Sequence, residues 1–261
     1  MISGLTLAWR RGWLHGPRAV RWKLNLLDDQ VLIACGVLLS GLLASLLASL
    51  LGAKSGEAPS PGISLAALVT SCMTTIAAWW ALSRPHARQD AREPAPMPMP
   101  RAVLAGLVAL AIAWPIVALI SHLGSAIQQR LGGPAVPEVA HDTLAMLRAH
   151  AREPTAWALS LAVITLTPLA EELLWRGAVQ QALKAAGLPR LAAVAVASAL
   201  FALVHWNAVP SDARIGALPG LAALGFTFGW LFERCGRIAA PVSAHAAFNA
   251  ANLLLFSMLP G

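Results

Sequence analysis

Two adjacent carboxylates, two imidazoles and a carboxamide are set into stretches otherwise as apolar as lipid. They fall in three runs: Glu171-Glu172-Leu173-Leu174-Trp175-Arg176, Phe201-Ala202-Leu203-Val204-His205 and His245-Ala246-Ala247-Phe248-Asn249. A charged side chain at the centre of a bilayer costs on the order of 3 kcal/mol or more on insertion scales, so one retained there faces a protein interior or a water-filled cavity. A carboxylate can take a proton from water. Imidazole and amide donors suit negative charge developing on oxygen. Together these groups are reactive equipment.

Spacing narrows what each residue can do, and each has a plain structural reading beside the chemical one. Residues four apart share a helical face, so Glu172 and Arg176 can pair, while Glu171 points about 100° away. An internal ion pair with a second, snorkelling acid would account for that motif alone. Thr167 and Pro168 could cap and open a new helical segment, which would bring both acids close to its positive end. His205 follows Phe201 by one turn and stands beside Trp206, as an interfacial tip would. His245 and Asn249 are also one turn apart and can point at one small volume, with Asn252 extending that face. Interhelical hydrogen bonding is the plain reading of that pair. The coincidence of three such motifs on separate spans favours a joint site.

The elements that must hold these residues are membrane helices. The chain has 261 residues, 57% of them hydrophobic and 12% charged, against roughly one-quarter charged in soluble domains. Seven apolar stretches, at 31–52, 61–83, 102–121, 155–183, 191–206, 215–232 and 238–259, mostly approach the roughly 20 residues that cross a bilayer as a helix. The fourth is long and contains Pro168, so it reads as one kinked helix or two shorter ones. The expected fold is all-α, a multi-pass transmembrane helix bundle of about seven or eight spans. Residues 1–30, with Trp9, Trp13 and Trp22 among basic residues, read as an interfacial lead-in. Residues 31–154 hold the first three spans and their loops, and 155–261 the part that carries all three polar motifs.

Charge gives the orientation, because basic residues beside spans stay in the cytoplasm. Thirteen of the nineteen Lys and Arg, among them Arg10, Arg18, Arg84, Arg88, Lys184 and Arg234, fall on one side if the N-terminus is cytoplasmic. The net charge of +7 is then explained by loops facing anionic headgroups, and no nucleic-acid partner is expected. An integral plasma membrane location follows, and sparse Lys beside abundant Arg and Ala points to the inner membrane of a GC-rich bacterium. Cys35, Cys72 and Cys235 form no close pair, so reduced structural thiols are expected. Residues 84–100 end in Pro-Ala-Pro-Met-Pro-Met-Pro and read as an extended, water-exposed linker. The external segment 122–154 carries a weakly helical stretch, 138–152, expected on the membrane surface. The pairs Gly216/Gly220 and Gly225/Gly229 allow close helix packing.

The run TPLAEELLWRG from Thr167, then FALVH, then GWLFERCGRIAAPVSAHAAFN resembles the CPBP intramembrane glutamic endopeptidases, the CAAX prenyl endopeptidase and bacteriocin-processing family. Its pattern of E-E-x-x-x-R, F-x-x-x-H and H-x-x-x-N or D is matched in order, across about 155–258. Trp175 departs from the commoner Phe, which should alter packing more than chemistry. The chain before Thr155 carries no motif of the family. The resemblance implies that Glu171 and His205 activate a water, that His245 and Asn249 stabilise the oxyanion, and that Glu172, Arg176 and Phe201 support them. It implies a peptide or membrane-protein substrate met at the lipid bilayer, with no cofactor.

Other chemistries fit less well. There is no His-Glu-x-x-His zinc pair, no Gly-x-Ser-Gly loop, and no Asp inside an expected span. A metal held by Glu171, His205 and His245 uses suitable ligand types but lacks a metal-type spacing. The main alternative is a catalytically silent membrane protein that binds a partner, as an immunity protein does; it would be signalled by a lost motif residue, and none is lost. A proton-coupled transporter is weaker, because no repeated pair of broken segments marks two halves.

Overall fold

The computed structural model describes residues 28–53, 59–83, 96–131 and 142–258. Every regular element among them is helical: α1 Asp28–Leu50, α2 Pro61–Ser83, α3 Met99–Arg130, α4 Asp142–Ala149, α5 Pro154–Glu172, α6 Gln180–Ala185, α7 Arg190–Val204, α8 Arg214–Cys235 and α9 Ala239–Ser257. Seven residues between α5 and α6, Leu173–Val179, widen into a π-helical turn. Helices stand on all seven apolar stretches of the sequence, and the protein is a multi-pass membrane helix bundle.

Four helical segments among the described residues are long and apolar enough to cross a membrane: Pro61–Ala81, Met99–Arg130, Pro154–Ala185 and Arg214–Cys235. The α7 helix is shorter, at 15 residues. The α9 helix is not among the four because His245, Asn249 and Asn252 dilute its apolar character. Leu and Ile side chains such as Leu104, Ile112, Ile116, Leu161 and Leu254 are exposed. That inversion of the usual rule is what a lipid-facing surface requires.

The long fourth stretch is a single helix from Pro154 to Ala185. Thr167 and Pro168 therefore do not open a new segment, and Glu171 and Glu172 do not stand at a helix N-terminus. Proline is tolerated inside a membrane helix because neighbouring groups satisfy the freed backbone. The irregularity falls one turn later, where Gln180 donates its backbone N–H to the carbonyl of Trp175, five residues back.

Helix α8 lies between α3 and α7, and α9 packs against α3, α5 and α8. Glycine sets these approaches. A Cβ on Gly216 or Gly220 would collide with Ser121 or Ser125 of α3, and one on Gly124 with the backbone of Ile215. A Cβ on Gly225 would come within 3.1 Å of Phe201, and one on Gly229 within 2.7 Å of Gln180. The two glycine pairs of α8 thus serve different neighbours. The apolar core shared by α3, α8 and α9 is built on Leu110, Leu224, Phe228 and Leu231.

One connection differs from expectation. The end of the proline-rich linker is pinned rather than loose: Met97 donates its N–H to Cys235 at 2.9 Å, Arg237 Nε donates to the Met97 carbonyl at 2.7 Å, and Met99 and Pro100 already belong to α3. Helix α4 docks on the bundle through Leu147, buried against Ala156 and Leu159. Cys72 and Cys235 are buried thiols. Residues 1–27 of the segment expected at the membrane interface, most of the linker and the side chain of Cys35 lie outside the described residues.

Candidate active site

Glu171, His205, His245 and Asn249 line one cavity of about 630 Å³, with Phe201 in its wall. They come from the end of α5, the end of α7 and the middle of α9. Glu172 and Arg176 stand behind them, fully buried.

The carboxylate pair divides as the helical spacing requires. Glu172 Oε2 meets Arg176 Nε at 2.9 Å. Its other oxygen accepts a hydrogen bond from His245 Nδ1 at 3.0 Å. Glu171 keeps 27% of its side chain open to the cavity, with Oε2 3.8 Å from His245 Nε2. One carboxylate is thus consumed in structure while its neighbour is free to meet water or substrate.

Aromatic rings complete the setting. The Arg176 guanidinium sits 5.3 Å from the Phe201 ring and 5.8 Å from the Phe228 ring, a contact of the cation–π kind. Phe228 stacks on His245 with centroids 4.9 Å apart, and Phe201 meets it edge-on at 6.1 Å. Trp175, the departure from the commoner Phe, lies edge-on to Phe201 at 5.9 Å.

His205 is held by its own turn. Its Nδ1 donates to the Phe201 carbonyl at 2.7 Å, which in the neutral ring leaves Nε2 as the acceptor. The carbonyl of His205 takes the N–H of Ala208 and of Val209, each at 3.0 Å. Arg214 braces the same turn, donating from Nε to the Trp206 carbonyl at 3.0 Å with its Cζ 4.6 Å from the Trp206 ring. Gln128 of α3 bonds the Asp212 carbonyl. His205 is therefore both at a span end and on the cavity, so the two readings of it are compatible. On α9, Asn249 donates from Nδ2 to the Val163 carbonyl at 2.9 Å, an interhelical bond that also fixes the amide at the cavity wall. Asn252 lines the cavity as well.

Three features escape sequence reasoning. Phe228 has no signal, because aromatic residues on membrane helices are ordinary. The π-turn depends on packing. The third is a buried polar cluster in which Glu233 Oε1 receives Lys184 Nζ at 2.7 Å and Gln180 Nε2 at 2.9 Å; Lys184, counted above as a loop charge, lies mostly inside the protein. Glu233 itself, a lone acid in an apolar run, was the available clue. Among the described residues no three His, Cys, Asp or Glu side chains converge as a metal ion would need.

The apolar helix bundle thus brings acid, imidazole and amide groups together around one cavity. Residues 153–251 match the family model described as type II CAAX prenyl endopeptidase Rce1-like, and over this segment the chain is similar to that protease family. Comparison with curated proteins gave no match, and comparison with solved structures gave none.

Proposed function

We propose that the protein is an intramembrane glutamic endopeptidase, cutting a peptide bond in or near the bilayer. The observation that carries this reading is the meeting of Glu171, His205, His245 and Asn249 on one cavity inside the segment that matches the protease family. Glu171 takes a proton from water, and the free Nε2 of His205 orients that water or accepts its proton in turn. The hydroxide attacks the scissile carbonyl. Asn249 Nδ2, with a second N–H beyond the one given to Val163, and His245 Nε2 in its imidazolium form donate to the oxyanion. The proton held by the base passes to the departing amine, and the tetrahedral carbon collapses to a carboxylic acid.

In this reading Glu172 and Arg176 are positioning residues. They fix the His245 ring through its Nδ1–H, as a carboxylate behind an imidazole does. Residues 155–261 form the catalytic core, 31–154 the accessory part and 1–30 an interfacial segment. The N-terminus is cytoplasmic, and the membrane is the inner membrane of a bacterium. Reporter fusions at the two ends test that orientation: an enzyme active only outside the cytoplasm should work at the C-terminal fusion alone.

The deciding experiment compares new protein termini by mass spectrometry in cells making wild type or Glu171→Gln at matched abundance. Termini present only with wild type support proteolysis. Identical profiles from two folded proteins overturn it and favour a silent partner-binding protein.

A further inference from the structure

The cavity is long and its two ends differ in origin. Leu159, Val163, Thr167 and Glu171 all line it, one residue per turn of α5. Twelve residues at the helical rise make a stripe about 18 Å long. Glu171 marks one end. At the other, Met146 and Leu147 of α4 enter the wall, where Leu147 packs on Ala156 and Leu159. Glu171, His205, His245 and Asn249 all belong to the segment that matches the protease family, residues 153–251, whereas α4 precedes it.

Helix α4 is fastened to the two helices that carry the chemistry. It runs into α5 through a short turn in which Glu153 donates its N–H to the His150 carbonyl at 2.9 Å. Arg148 Cζ lies 5.3 Å from the ring of Phe256 on α9. This end wall is therefore fixed relative to Glu171 and His245.

The chemistry restricts the form in which a chain can be cut. A helix hides each carbonyl in an i→i−4 hydrogen bond, whereas an extended chain presents its scissile carbonyl to the cavity. At about 3.3 Å per residue, 18 Å spans roughly five residues.

Resting on the peptidase reading, we propose that Met146 and Leu147 form a distal specificity wall. It selects the apolar side chain of an extended substrate about five residues from the scissile bond. Met146, only partly buried, is unbranched and conformationally adaptable, which suits a wall that must close on a side chain. Selection by this wall belongs to the part of the chain outside the family segment.

The test uses the full-length protein in lipid nanodiscs and a random peptide library, with products sequenced by mass spectrometry. Wild type should show an apolar preference at one position, about five residues from the cut. Met146→Ala should shift that position toward larger side chains by about tenfold, the discrimination expected for one or two methylenes. Met146→Phe should shift it toward smaller ones, leaving the residues beside the cut unaffected. Met73→Ala, on the exposed surface of α2, controls for loss of a methionine. An unchanged distal profile in either Met146 variant that still cleaves overturns the wall. Loss of cleavage in both, with wild type active, also overturns it, by making Met146 a requirement for turnover rather than a selector. Absence of cleavage by wild type itself overturns the peptidase reading instead.

Discussion

His245 Nδ1 and Glu172 Oε1 lie 3.0 Å apart in the interior, joining the middle of α9 to the end of α5, and Arg176 closes the back of that carboxylate at 2.9 Å. Removing Glu172 strands a fully buried guanidinium. Glu172→Ala is expected to lose about 3–5 kcal/mol of stability, measured as a fall in the unfolding midpoint in detergent. Glu172→Gln with Arg176→Met should recover folding without recovering peptide cleavage.

Glu171 behaves differently because its side chain is partly open to the cavity and its carboxylate stands 3.8 Å from His245 Nε2, beyond hydrogen-bond reach. Glu171→Gln is expected to retain the wild-type unfolding midpoint and to lower turnover by about 10²–10⁴, the range for a lost general base. A variant that unfolds, or one that still cuts at the wild-type rate, would count against its role as the base.

Asn249 separates chemistry from packing. Asn249→Ala removes one interhelical hydrogen bond to Val163, worth roughly 0.6 kcal/mol in membranes, and one oxyanion donor, worth about 10²–10³ in kcat. A large fall in kcat with a nearly unchanged unfolding midpoint is the expected pair of results. A large stability loss with kcat intact would reassign Asn249 to structure.

Metal removal tests the competing ligand reading of Glu171, His205 and His245. Cleavage by protein dialysed against a chelator is expected to persist. Loss of cleavage that zinc restores would make those three side chains ligands.

Close packing of α3 on α8 is tested at Gly124, whose added Cβ would strike the Ile215 backbone. Backbone cannot move aside as a flexible side chain can, so Gly124→Val should lower the yield of folded protein sharply. The lipid-facing Ile112→Val on the same helix should not.

The order of motifs, the apolar stretches and the pairing of Glu172 with Arg176 were legible from the sequence, because they depend on local spacing and on the cost of polar groups in lipid. Helical period alone says that His245 and Asn249 share a face, and that Glu171 and Glu172 do not. It does not say which faces meet. Tertiary structure decided that Glu172 reaches His245, that Phe228 stacks on the same ring, and that the expected helix start at Thr167 and Pro168 is continuous helix with a π-turn after it. It also decided that α4 docks on the bundle and lines the cavity. These outcomes turn on how closely helices approach at Gly124, Gly220 and Gly225. Such approaches are contacts between distant parts of the chain, and no local periodicity encodes them.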